Sequence, residues 1–117
     1  MDKRYPDYYQ HLQSLMVKLG NELPGPMAGF GQLHRHAVAG GTLSTKIKEL
    51  IALGIAIASR CDGCIAYHVH DALRAGATRK EILEAIGVAI LMGGGPAAMY
   101  GAEAFEALDQ FETAGVR

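Results

Sequence analysis

A chain of 117 residues with a net charge of −1 is long enough to bury one core and has no cationic excess for a nucleic-acid or membrane surface. Half of its residues are hydrophobic, none is tryptophan and only two are cysteine, which excludes the disulfide framework of a small secreted domain. Alanine and glycine are abundant, a bias toward close-packed helices rather than a β-sandwich rich in Val, Ile, Thr and aromatics.

Met1 to Arg4 is charged and no apolar run follows, so no leader is expected. Residues 5–19 read as a helix, with Tyr8, His11, Leu12, Leu15, Met16 and Leu19 at spacings of three and four. Gly20 and the Pro24-Gly25-Pro26 cluster should end it. Residues 27–38 form a weaker helix, with Phe30, Leu33 and Ala37 on one face, stopped by Gly40-Gly41. His34 and His36 lie there two apart, a spacing that points them in different directions on a helix. Packing or solvent contact, not ligation, is expected of them.

Ser44 or Thr45 caps the next helix, over 46–59. From Leu50 to Ala58 it is apolar all round, the pattern of a helix buried on every side. Glu49 stands at the edge of that run. It is either a solvated acid complementing the helix dipole or a carboxylate that must be paired. After Arg60 a further helix carries Cys64 to Ala75, with Gly76 as the natural C′ residue. Thr78-Arg79-Lys80-Glu81 is a capping box opening the fifth helix. Residues 85–102 are uncharged and of membrane-spanning length, but Gly93-Gly94-Gly95-Pro96 interrupts them. Two soluble helices are expected, with Pro96 at N1 of the sixth. No membrane segment is expected, and a cytoplasmic location is. About six helices and no strand predict an all-α, single-domain bundle, with a helical segment over 1–42 leading into a core over 43–114. The apolar stretches 50–58 and 85–92 exceed what one small bundle covers, so a homo-oligomer is expected.

The chemistry-bearing stretch is Cys61-Asp62-Gly63-Cys64-Ile65-Ala66-Tyr67-His68. On a helix Cys64 and His68 share one face, and a thiol beside an imidazole or a helix N-terminus ionises more readily. Attachment of c-type haem needs His directly after the second cysteine, where Ile65 stands. A thioredoxin-like site needs a preceding strand, and a helix precedes this pair. Structural zinc needs four ligands; Cys61, Cys64 and His68 supply three, and His70 points elsewhere. A reactive dithiol, a zinc site and an inert buried pair thus remain, with the polar Asp62-Gly63 break speaking against the last. Tyr67 and Asp71 read as packing or surface residues.

Glu49, Cys61-x-x-Cys64 and His68 together resemble the signature of the alkyl hydroperoxidase D-like branch of the carboxymuconolactone decarboxylase superfamily. Leu43-Ser44, Lys48-Glu49-Leu50-Ile51-Ala52-Leu53, Ala75-Gly76-Ala77-Thr78 and Glu81-Ile82 extend the likeness over roughly 43–111. The resemblance implies an all-helical domain assembled as trimers or hexamers. It also implies a thiol-dependent reduction of alkyl hydroperoxides, with Cys64 as the attacking thiolate and Cys61 as the resolving thiol. His68 would accept the proton and Glu49 would orient or relay to it. No metal, haem or flavin is implied; the partners are a small-molecule peroxide and an external dithiol or lipoyl-type reductant. Gly63 is a departure, because the mycobacterial-type hydroperoxidase carries a histidine there and is a longer protein with a duplicated helical arrangement. The other readings are a carboxymuconolactone decarboxylase-type lyase, for which Arg60 or Arg74 would have to hold a substrate carboxylate, and a non-enzymatic redox-sensing or zinc-binding scaffold.

Overall fold

The computed structural model describes residues 3–117. Six α-helices run in order: α1 (Tyr5–Glu22), α2 (Pro24–Val38), α3 (Thr45–Ala58), α4 (Asp62–Arg74), α5 (Arg79–Gly93) and α6 (Gly95–Thr113). There is no strand among the described residues, as the composition predicts. No helix among them is long and apolar enough to cross a membrane.

Local chemistry sets most of the boundaries. Ser44 caps α3 by accepting from the Ile47 N–H, and Thr78 with Glu81 forms the full reciprocal capping box on α5. Gly76 lies just beyond α4 with φ of +94°, the left-handed C′ conformation that glycine adopts without a Cβ penalty. Gly94 alone separates α5 from α6, at φ 69° and ψ −149°, a region open essentially to glycine only. Pro96 consequently falls at the second position of α6, one residue later than expected.

The Pro24-Gly25-Pro26 cluster behaves differently from its sequence reading. It does not separate two helices; it forms the first turn of α2, and α1 runs through Gly20 to Glu22, leaving Leu23 as the hinge. A proline in the first turn removes an N–H that has no intrahelical partner anyway, so the cluster starts a helix as readily as it stops one.

The core sits where α4 crosses α3, α6 and α1, with α5 packed on α3 and α6. Tyr5, Leu53, Ile57, Ile65, Val69, Ile82, Leu108 and Phe111 are its fully buried large side chains, the aliphatic ones and Phe111 each contributing on the order of 1.5–3 kcal/mol of transfer free energy. At Gly101 a Cβ would stand 3.0 Å from Ile86 Cγ2, so the missing side chain is what lets α5 and α6 approach. The start of α1 is clamped to α6: the Tyr5 N–H donates to Gln110 Oε1 at 2.7 Å, and Gln110 Nε2 donates to the Lys3 carbonyl at 2.8 Å.

The expectation that α3 is buried on every side does not hold within one chain. Ile51 and Ile55 are 48% and 62% exposed. Because α4 and α5 cover only one side of α3, its other side forms an open apolar groove with Val88 and Met92 of α5.

Candidate functional site

The site is built at the N-terminus of α4. Arg60, at φ 60°, is the one non-glycine residue in the left-handed region among the described residues; it turns the chain sharply from α3 into Cys61. Cys61 is the N-cap of α4, its Sγ accepting the Cys64 N–H at 3.1 Å. Cys61 and Cys64 are joined as a disulfide, with their Cα atoms 5.2 Å apart. Unsatisfied N–H groups and the positive end of the helix dipole therefore lie beside both sulfurs. Asp62 brings a negative charge to the same turn, and Lys3 neutralises it through a 2.6 Å ion pair.

One turn after Cys64, His68 meets Glu49 from α3, with Nδ1 and Oε1 2.7 Å apart. Glu49 is only 2% exposed and belongs to the second turn of its helix, so it is not the solvated acid that the sequence left open. An ionised carboxylate can only accept hydrogen bonds. With Glu49 ionised, Nδ1 is the donor and Nε2 is left unprotonated, free to take a proton. The structure thus gathers Cys61, Cys64, His68 and Glu49 around one helix start.

The residues around this group have partners of their own. His70 faces away from His68, as helical spacing requires; its Nδ1 lies 2.9 Å from Asp71 Oδ1 and its ring stacks on Tyr9 at 4.0 Å. Tyr67 meets Tyr9 edge-on. Burial, and next the charge of Asp71, push the Tyr9 phenol up to about 12 and raise that of Tyr67 as well. Both phenols stay protonated at neutral pH and neither serves as a base. Arg60 and Arg74, either of which the lyase reading would use for a substrate carboxylate, are both exposed, at opposite ends of α4 and about 20 Å apart by helical rise. His34, set aside on its spacing to His36, comes close to Glu49 and Asp71. Two-residue spacing within one helix says nothing of partners on other helices, and no local signal marks it.

The N-terminal helix is part of the site. A Cβ at Gly63 would stand 3.1 Å from Leu12 Cδ1 and 3.8 Å from the Tyr8 hydroxyl. α1 thus lies over this turn, tight for a Cβ and too close for a large side chain unless Leu12 moves. Gly63→His should displace Leu12 and lower stability by about 1–3 kcal/mol, read as an earlier urea midpoint, while Gly63→Ala stays close to the parent because improved helix propensity offsets the crowding. An unchanged midpoint for Gly63→His would show that α1 yields without cost.

The chain and its fold are similar to known proteins. The model of the carboxymuconolactone decarboxylase family covers residues 24–107. The chain is 40% identical over 91 residues to an uncharacterised protein of Cupriavidus necator, spanning 78% of this chain and 80% of that one. Among solved structures it is similar to an apo carboxymuconolactone decarboxylase family protein from Legionella pneumophila, with a TM-score of 0.89 and 40% identity over 94% of this chain and 98% of that one. A Thermotoga maritima member of the same family, described with a suggested part in the antioxidative response, gives a TM-score of 0.72 and 30% identity over 77% and 93%. The chain belongs to the carboxymuconolactone decarboxylase family.

Proposed function

We propose that this chain is a thiol peroxidase of the alkyl hydroperoxidase D-like kind. The observation that carries the reading is the buried Glu49 held at 2.7 Å from the half-buried His68, one turn below a Cys-x-x-Cys pair at a helix start. That is a nucleophile, a base and a group that orients the base. In the reduced chain His68 Nε2 takes the Cys64 proton. The thiolate attacks the terminal, hydrogen-bearing peroxide oxygen, the O–O bond breaks, and the leaving alkoxide picks up a proton to depart as alcohol. Cys64 is left as a sulfenic acid. Cys61 sulfur then attacks Cys64 sulfur, expelling water and closing the disulfide. A dithiol or lipoyl-type donor reopens it by two exchange steps, becoming a disulfide itself. The antioxidative description of the Thermotoga maritima relative agrees with this chemistry. The test is intact mass. One equivalent of alkyl hydroperoxide should remove two hydrogens from the reduced chain and a dithiol should restore them; an unchanged mass would overturn the reading.

The proposal extends to assembly: the open α3–α5 groove is covered by a second copy of this chain. Its lining of Ile47, Leu50, Ile51, Ile55, Val88 and Met92 carries no charge, and Met92 is 77% exposed. A continuous apolar face of this kind marks an association surface. Ile55→Glu places a charge in its middle and should convert the assembly to single chains by light scattering. A parent chain that is already monomeric would contradict the assembly and leave the thiol chemistry standing.

A further inference from the structure

Three helices converge beside the relay and share Glu49 with it. His34 of α2, Glu49 of α3 and Asp71 of α4 each present one ligand-capable atom, and the three atoms all lie within 4.8 Å of one another. Two of these groups are carboxylates, and Glu49 is 98% buried by its 2% exposure. Like charges brought that close repel, the more so with one of them buried. Among the described residues no lysine or arginine pairs with either one; their ion-pair partners are His68 for Glu49 and His70 for Asp71. The lysines on α3 are engaged elsewhere, Lys46 with Glu81 and Lys48 with the Ala39 carbonyl.

Each carboxylate also has an oxygen to spare. Glu49 uses Oε1 for His68, and Asp71 uses Oδ1 for His70. The second oxygen of each makes no hydrogen bond among the described residues, nor does the His34 ring. A carboxylate held by an imidazole through one oxygen and open at the other is the arrangement in which outer hydrogen bonds orient metal-ligating groups.

We propose that His34, Glu49 and Asp71 bind one divalent cation of the zinc class. One imidazole and two carboxylate oxygens suit a borderline cation, with water in the fourth position. Metal–ligand bonds of about 2.0–2.2 Å put tetrahedral ligands roughly 3.5 Å apart. The remaining approach falls to the exposed His34 side chain, whose rotamer is free to change. The ion offsets the repulsion between the carboxylates and fastens α2 to the body of the molecule. That helix buries none of its own residues, so it gains most from such a tie. The site shares Glu49 with the relay, so it is tested with the disulfide closed, when no thiol is there to react.

Oxidised full-length protein, shown by mass to hold no free thiol, is stripped with a chelator and dialysed against micromolar zinc chloride. Elemental analysis should return one zinc per chain, and zinc should raise the melting temperature by several degrees. His34→Ala, on an exposed side chain whose loss leaves the fold intact by circular dichroism, should weaken zinc binding at least tenfold, and Asp71→Asn should do the same. Substoichiometric zinc in the parent protein overturns the proposal. So does stoichiometric zinc that His34→Ala retains, since the ion would then be bound elsewhere.

Discussion

Serine at position 61 and serine at position 64 should give different products with one equivalent of alkyl hydroperoxide. Cys61→Ser should gain one oxygen, because Cys64 is oxidised to a sulfenic acid that has no thiol left to condense with. Cys64→Ser should keep its mass, and its peroxide consumption should fall to that of a free thiol in solution. The asymmetry follows from position on α4. Cys61 caps the helix, while Cys64 lies one turn above His68, whose Nδ1 is committed to Glu49. Only Cys64 therefore has a base on its own helix face. A sulfenic acid trapped by dimedone on Cys61 in the Cys64→Ser variant would reverse the two roles. Equal, slow oxidation of both variants would remove the relay from the mechanism and leave the pair a structural disulfide.

Much of this arrangement was legible in the sequence because it is local. The capping box of Thr78 and Glu81, the Ser44 cap and the Gly76 terminus each depend on residues within four positions, and each stands where its pattern places it. The helix count and the all-α class follow from the same short-range signals. What the sequence withheld is long-range. Nothing near Leu12 says that its side chain lies against Gly63, 51 positions on in the numbering, and so nothing assigned α1 to the site. The same applies to His34, which reaches Glu49 and Asp71 only through the packing of three helices. A uniformly apolar helix is a third case: the pattern over 50–58 shows that α3 must be covered, and leaves open whether its own chain or another does the covering. The exposure of Ile51 and Ile55 answers that for one chain.

Glu49 shows how burial turns a common residue into a specific one, and its replacement is the second large effect expected. Glu49→Gln keeps the shape and removes the charge. The new amide can turn its NH₂ toward His68 Nδ1, which then has to accept, and the ring proton moves to Nε2. In the proposed relay, the ring nitrogen that takes the Cys64 proton then carries a proton of its own and becomes a donor. General acid–base contributions of this kind are worth about 10²–10⁴ in rate, and peroxide reduction in chelator-treated buffer should fall within that range. Stability should change less, by about 1–3 kcal/mol, since the neutral side chain still fills its place and keeps one hydrogen bond. The readout that separates a relay from mere packing is the pH profile of Cys64 alkylation in a Cys61→Ser background. There the Glu49→Gln variant should need a higher pH than its parent to reach the same rate, because the thiol has lost the base that took its proton. A uniform slowing with an unmoved profile would place Glu49 in the architecture of the α3–α4 contact alone. The 2.7 Å bond to His68 would then hold two helices together and take no part in moving a proton.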